Sequence, residues 1–504
     1  MRFSCSIFFM RKFMNTIQKN LFLRYNKDKE DVMENIRMER DSLGEVEIKS
    51  EAYYGANSQR ALENFHITGQ SMDPFLVRAI VEVKKACAIE NNKVGILSAR
   101  KKDAIVEACD RILAGEFMDN FVVDPIQGGA GTSFNMNVNE VIANIANEIL
   151  GGGLGTYEYI HPNDHVNKGQ STNDVIPSAG KIALIRYIGV LKIEVDKLIT
   201  SFEKKAKEFD YYIKMGRTQL QDAVPIKLGQ EFKAYATVIS RDYKRLGSAV
   251  DQLSYLNLGG TAIGTGLNAD DDFIEKVVPT LSKICELDLK QAEDLVDATQ
   301  NLDSFLYTSS VLKTMACNLS KISNDLRLLS SGPTTGISDY NLPAKQAGSS
   351  IMPGKVNPVI PEVVNQVAFL VIGNDMTVTM AVEGGQLELN AFEPIIFYSL
   401  FESIKSLTSA ISTLYRNCVD GITSDKEKLE KRVENSIAII TPFAPHIGYD
   451  KASKVAKESL STGVSVREIL LRDNIMTKEE IDNILDYESM THPGILDEAH
   501  INKD

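Results

Sequence analysis

Apolar residues recur at helical spacing along most of this chain. Behind Asp73-Pro74, which reads as an N-cap followed by a first helical position, Leu76, Val77, Ile80, Val83 and Cys87 fall at steps of three and four. Helical punctuation encloses three longer segments: Pro177 to about Phe209, Leu228 to about Leu253, and Pro361 to about Leu389. A fourth, Asp303 to Leu329, carries Phe305, Leu306, Leu312, Met315, Leu319, Ile322 and Leu326. A thirty-residue helix is roughly 45 Å long, longer than a small domain is wide, so the pattern predicts an all-α-dominated fold built around a bundle of long helices. No internal repeat or low-complexity tract interrupts it.

The segment Val363 to Val382 is apolar on nearly every face, with Asp375 its only charge. A helix apolar all round must be covered all round, and one chain's few long helices cannot enclose one another completely. The pattern therefore predicts that other copies of the chain complete the bundle.

Composition narrows the function classes. At 504 residues the chain can bury a large core, and length alone suggests two to four domains. A formal charge of -13 argues against a nucleic-acid partner. The six cysteines, Cys5, Cys87, Cys109, Cys285, Cys317 and Cys418, lack metal-type spacing, and most sit among apolar helical neighbours; they read as reduced core thiols in a cytoplasmic setting. Six histidines without an H-E-x-x-H pair exclude a zinc-hydrolase pattern, and no metal site is expected. No uninterrupted apolar run approaches the roughly 18 residues that a bilayer requires, so no membrane association is expected. Before Asp28 the chain has basic but no acidic residues, with Phe8, Phe9, Phe13, Leu21 and Phe22 interspersed. Residues 1–33 are read as an extension, either disordered, with Met33 as an alternative start, or directed to organellar targeting.

The densest chemistry lies in Gly348-Ser349-Ser350-Ile351-Met352-Pro353-Gly354-Lys355-Val356-Asn357-Pro358. Two hydroxyls, a lysine and an amide share a Gly/Pro-rich loop, and Pro361 with Glu362 is expected to open the helix that follows. Backbone N–H groups converging in such a loop, the positive end of that helix and Lys355 together suit an anion. Taken singly, these residues would read as a surface turn with helix caps.

This loop resembles the signature of the aspartase/fumarase superfamily, whose members release fumarate by elimination. Four further blocks resemble family blocks in family order: Gly129-Ala130-Gly131-Thr132-Ser133-Phe134-Asn135-Met136-Asn137, His161-Pro162-Asn163-Asp164, Gln170-Ser171-Thr172-Asn173-Asp174 and Gly216-Arg217-Thr218-Gln219-Leu220-Gln221-Asp222. From about Met38 to Pro493 the chain is similar to the aspartate ammonia-lyases of that superfamily. The resemblance implies a three-domain fold, with an N-terminal domain over 34–168, a central helix bundle over 169–425 and a small C-terminal domain over 426–504. It implies a homotetramer with a twenty-helix core and active sites shared between subunits. The implied reaction is reversible anti elimination of ammonia from L-aspartate to give fumarate, with no required cofactor and a divalent cation as a conceivable activator.

Removing a C-β proton beside a carboxylate creates an aci-carboxylate dianion, and preorganised donors in a dry site can stabilise such charge by about 3 kcal/mol or more each. By resemblance Ser349 is the general base. Thr132, Ser171, Thr172 and Ser350 surround the reacting carboxylate, Lys355 and Asn357 clamp the other one, and Asn173, Thr218 and Gln219 hold the departing amine. Asn135 and Glu362 are supporting positions. A serine is a weak base until its oxyanion is stabilised, so loop amides, the helix end and Lys355 are expected to lower its pKa, with Gly348 and Gly354 as hinges of a closing lid.

Many relatives, fumarases among them, place histidine where this chain has Gln219. An imidazolium can protonate a departing hydroxyl, whereas an ammonium leaves as neutral ammonia without acid, so glutamine favours an ammonia-lyase over the alternative, a class II fumarate hydratase. The block Val359 to Gln366 is aspartase-like; His446-Ile447-Gly448-Tyr449-Asp450 is fumarase-like. A non-catalytic structural member of the superfamily is the alternative of another class. Three features carry competing readings. Gly264-Thr265-Gly266-Leu267-Asn268-Ala269 matches a dinucleotide loop in form, but Asp270, Asp271 and Asp272 would repel a pyrophosphate, and a turn near the active site is expected instead. The acidic triplet itself reads as a solvated helix start rather than a metal site. His161 with Asn163 and Asp164 is either a secondary anion site or an Asx-type turn, and the turn is favoured.

Overall fold

The computed structural model describes residues 35–496, which are mostly helical. The expected extension 1–33, including Cys5, lies outside the described residues. The chain forms two compact units, each gathered from separate stretches. One takes the chain to Arg186 with Gln252–Phe305 and Thr377–Tyr398; the other takes Tyr187–Asp251, Leu306–Met376 and the chain from Ser399 onward.

In the first unit the Pro74–Lys93 helix starts as its sequence dictates. The Asp73 side chain accepts from the Phe75 amide at 2.9 Å, Pro74 takes the first helical position, and Leu76, Val77, Ile80, Val83 and Cys87 are all buried. This helix packs on the Ala99–Leu113 and Asp271–Cys285 helices, and Ala99–Leu113 packs in turn on Thr132–Ile149.

Two of the four long helices, Leu228–Leu253 and Asp303–Leu329, have the predicted bounds. The other two differ. The helix expected from Pro177 begins at Thr172 and runs to Glu208, with Pro177 inside it. Proline has no N–H for the carbonyl of Asn173 four residues back; that carbonyl accepts instead from Asn257 Nδ2 at 3.0 Å, and the helix continues through the gap. Gly180 on the same helix meets Phe397 so closely that an added Cβ would lie 2.3 Å from the ring. The helix expected from Pro361 to Leu389 spans Val359–Glu383, with Gly384 and Gly385 following and a bridge between Gln386 and Leu389 turning the chain.

Val359–Glu383 also corrects the expectation that no segment is apolar enough to cross a membrane: by length and composition this helix is. A search for uninterrupted apolar runs missed it because Asn365, Gln366, Asn374 and Asp375 break the run. Those breaks belong to a helical bundle. Asn365 Nδ2 donates to Ser320 Oγ at 2.9 Å and to Asn324 Oδ1 at 3.0 Å, and Asp375 accepts from Ser309 at 2.8 Å and Lys313 at 2.6 Å. On the same helix Phe369, Met376 and Met380 remain 63%, 62% and 67% exposed.

The second unit contains an antiparallel hairpin, Ile213–Thr218 with Gln221–Lys227, whose last pair is Thr218 with Gln221. The Lys426–Glu434 helix packs on its first strand. A core of Ile213, Met215, Val433, Ile439, Phe443 and Ile469 joins hairpin and C-terminal segment. Cys87, Cys109, Cys285 and Cys418 are buried free thiols, whereas Cys317 is exposed, an exception to the core-thiol reading.

Candidate active site

In the first unit the structure brings Thr132, Asn135, Ser171, Thr172 and Asn173 onto two helix beginnings. Gly131, at φ 81°, turns the chain into the Thr132–Ile149 helix, and Thr132 Oγ1 donates to the Gly129 carbonyl at 2.7 Å. Asn135 follows one turn later on the same face. Its Nδ2 donates to Thr172 Oγ1 at 3.3 Å and to Asn167 Oδ1 at 3.1 Å. Ser171 Oγ accepts from the Asn173 amide at 3.3 Å, and Asn173 Nδ2 donates to the Ala262 carbonyl at 2.7 Å.

Three residues that the site reasoning missed hold this arrangement. Lys84 is fully buried, and its ammonium donates to Asn135 Oδ1 at 2.6 Å, Asn167 Oδ1 at 2.8 Å and Gln170 Oε1 at 2.9 Å. Burial pulls its pKa down to about 7, with Asp174 among the charges that oppose the shift. Asp174, also fully buried, accepts from the amides of Ser171 at 2.9 Å and of Gly259 and Thr261 at 3.1 Å each; burial raises its carboxyl to about 6 against those donors. Asn257 serves the Asn173 carbonyl, while its Nδ2 also reaches Thr299 Oγ1 at 3.0 Å and its Oδ1 accepts from Ser178 at 3.3 Å. A signal for Lys84 was present: it lies on the apolar stripe of Val77, Ile80 and Cys87, where a lone lysine needs buried partners.

In the second unit the loop carries Ser349, Ser350, Lys355 and Asn357. It closes on itself: the Gly348 amide donates to the Lys355 carbonyl at 2.8 Å, and Asn357 Nδ2 donates to the Gly348 carbonyl at 2.7 Å. An added Cβ at Gly348 would lie 2.5 Å from the Lys355 oxygen, so this glycine permits a close approach as well as bending. Ser349 Oγ accepts from the amides of Ile351 at 3.2 Å and Met352 at 3.0 Å. Ser350, Ile351, Met352 and Lys355 are exposed. The following helix opens at Val359 rather than Pro361, with Glu362 in its first turn and the Glu362 amide donating to the Pro358 carbonyl.

Thr218 and Gln219 stand at the exposed tip of the hairpin. Gln219 and Leu220 both have positive φ, 52° and 64°, which a two-residue turn of this twist requires and which neither residue type favours. Strained backbone of this kind concentrates at functional sites.

The competing features resolve locally. Gly264 and Gly266 belong to a turn close to Asn173, with Gly264 pressed against the Leu295 backbone, and Asp270 caps the next helix by accepting from the Asp272 amide at 3.0 Å. His161 Nδ1 accepts from the amides of Asn163 and Asp164 at 3.3 Å, so the imidazole, rather than an Asn or Asp side chain as in an Asx-type turn, caps the short helical turn Pro162–Val166.

Residues 44–373 match the family described as Lyase, and residues 439–492 match the one described as Fumarase C C-terminus. An aspartate ammonia-lyase of a Bacillus species is 51% identical over 91% of this chain and 98% of its own length. One from Helicobacter pylori is 50% identical over 91% and 98%. Among solved structures, a fumarate lyase:delta crystallin from Brucella melitensis, bound to cobalt, superposes with a TM-score of 0.88 at 49% identity, over 91% of this chain and 100% of that one. A class II fumarase from Schistosoma mansoni superposes with the same score at 35% identity, over the same shares of the two chains.

Proposed function

The chain belongs to the aspartate ammonia-lyase family of carbon–nitrogen lyases, and we propose that it deaminates L-aspartate reversibly to fumarate through a serine base at Ser349. The observation that carries this mechanism is the pair of loop amides aimed at Ser349 Oγ. Two N–H donors favour the seryl oxyanion over the neutral hydroxyl, which is what a serine needs in order to accept a carbon-bound proton. Deprotonation at C-β leaves an electron pair that spreads into the neighbouring carboxylate as a dianion. Its return forms the double bond and expels the ammonium nitrogen, with its bonding pair, as neutral ammonia. Thr132, Ser171, Thr172 and Ser350 are proposed to donate to the dianion, Lys355 and Asn357 to hold the distal carboxylate, and Asn173, Thr218 and Gln219 to hold the amine. No step calls on an organic cofactor; activation by a divalent cation would be read from turnover with and without a chelator.

The chain carries its proposed site residues on two units, and the exposed Phe369, Met376 and Met380 support a helical core pooled between chains. We therefore propose a cytoplasmic homotetramer with three domains per chain, divided near Lys168 and Asp425, a twenty-helix core, and sites completed by neighbouring subunits.

The deciding assay supplies fumarate with ammonium or in water alone. Consumption that requires ammonium supports the lyase reading, consumption in water alone supports the hydratase, and binding without turnover supports a structural protein. Ser349→Ala should lower turnover by about 10²- to 10⁴-fold while leaving aspartate binding and oligomer size intact. Near-normal turnover in that variant would remove Ser349 from the mechanism.

A further inference from the structure

A cationic cavity lies in the second unit, between the hairpin and the C-terminal segment. It has a volume of about 520 Å³ and is lined by Arg217, Asp222, Lys428, Lys431 and Arg432, with Met215, Asn435 and Ser436 closing it. Four cations face one carboxylate in this wall, on a chain whose formal charge is -13. The carboxylate is already engaged: Asp222 accepts from Ser436 Oγ at 2.9 Å and lies 3.7 Å from Arg217 Nε. Behind the wall, buried Asp339 is shared among Lys214 at 2.9 Å, Arg217 at 2.8 Å and Arg432 at 3.1 Å, and Glu231 also pairs with Lys214 at 2.8 Å, so the two wall guanidiniums share Asp339 with a lysine. Lys428 reaches only a hydroxyl, Ser338 Oγ at 2.9 Å, and Lys431 has no acidic partner among the described residues.

Lys428, Lys431 and Arg432 fall at i, i+3 and i+4 on the Lys426–Glu434 helix, which places three like charges on one face. Like charges at this spacing destabilise a helix, and a concave wall focuses their field. A bound anion removes that cost. Guanidinium forks and ammonium groups supply the donors that phosphate and carboxylate oxygens accept.

We propose that this cavity is a binding site for a small multivalent oxyanion, bearing phosphate or several carboxylates, separate from the site proposed for the reaction. The position gives the anion a route to influence turnover. Arg217 directly precedes Thr218, and Lys428 and Arg432 grip Ser338 and the Ile337 carbonyl, at the root of the segment that leads to Ser349. An occupant ties the Lys426–Glu434 helix to the hairpin and to that root.

Isothermal titration of the full chain with pyrophosphate, and separately with tricarballylate, tests the site without relying on turnover, so its failure leaves the lyase reading untouched. Saturable binding of at least one of the two is expected, and the tighter of them identifies the oxyanion class. Lys431→Glu, an exposed position, should weaken binding at least about tenfold, with circular dichroism and anion-free turnover unchanged. Lys428→Glu should weaken binding as well, with circular dichroism unchanged. The absence of saturable binding for both anions, or equal affinity in wild type and both variants, would overturn the proposal.

Discussion

Lys84 Nζ lies 2.6 Å from Asn135 Oδ1, and the amide nitrogen of Asn135 faces the Thr172 hydroxyl at 3.3 Å. A buried cation thus fixes the orientation of an amide, and the amide fixes where a proposed carboxylate donor stands. Three oxygens accept from this ammonium, and only the charged form of lysine has three protons to donate. The network is therefore fully satisfied in one protonation state, in a place where burial resists that state.

Lys84→Met should strip the ammonium donor from the side-chain oxygens of Asn135 and Gln170, while Asn167 Oδ1 keeps Asn135 Nδ2, and cost about 3 kcal/mol or more in urea unfolding. It should lower kcat more than it raises KM, because Thr172 is proposed to act on charge that develops during the reaction. The pH response carries a sign. An unfolded lysine holds its proton up to about 10.5, the folded one only to about 7, so the unfolded state binds more protons between those values and wild-type stability rises with pH across that window. Urea midpoints measured from pH 7 to 10 should show the rise in wild type and a flatter line in Lys84→Met.

Asn257→Leu should cost about 1 to 3 kcal/mol, since Pro177 has no N–H for the Asn173 carbonyl and the substitution removes the amide that serves it. The functional cost should exceed that of an equally destabilising substitution elsewhere in the unit, because Asn173 is proposed to hold the amine. A KM for aspartate raised severalfold, at temperatures where the variant is fully folded, is the expected result. An unchanged KM would confine Asn257 to helix stability.

These two residues mark where the sequence stops being readable. The loop around Ser349 was legible because hydroxyls, glycines, prolines and a lysine are contiguous there, and the Asp73-Pro74 start because capping is local. Pro177 announced a broken helical bond in the sequence; that the repair comes from Asn257 depends on tertiary packing across distant segments. The early start at Thr172 was missed for the same reason, since proline was taken as the first helical residue when a remote donor had made it an interior one. Lys84 was half legible, as a lysine on an apolar stripe, without its partners. Asp339 was not legible at all, because its three cations come from the hairpin and from the Lys426–Glu434 helix.

Gln219→His should change deamination by less than about threefold and introduce slow fumarate hydration. The backbone permits it: φ is 52° at this position, and histidine is among the residues that enter that region more readily. An imidazolium adds an acid that a departing ammonia does not need and a departing hydroxide does. Loss of deamination instead would assign the amide itself a part in holding the amine.

Met376→Glu places a charge on the apolar face of Val359–Glu383 at a position 62% exposed in the single chain. If that face is solvent-facing, the substitution is nearly neutral, because a surface glutamate in a helix costs only a few tenths of a kcal/mol. If neighbouring chains cover it, a carboxylate must be buried among Phe369, Met380 and their counterparts without a partner, at a cost of several kcal/mol per contact. The helix is apolar on the exposed side as well as the packed one, which a solvated surface does not require, so the second outcome is expected. Light scattering should then show species smaller than the proposed wild-type tetramer at the same concentration. Turnover should fall in parallel, since Ser349 belongs to one unit and Thr132 and Thr172 to the other, and the proposed site draws on neighbouring chains to unite them. A variant that stays tetrameric and active would place that face outside the interface.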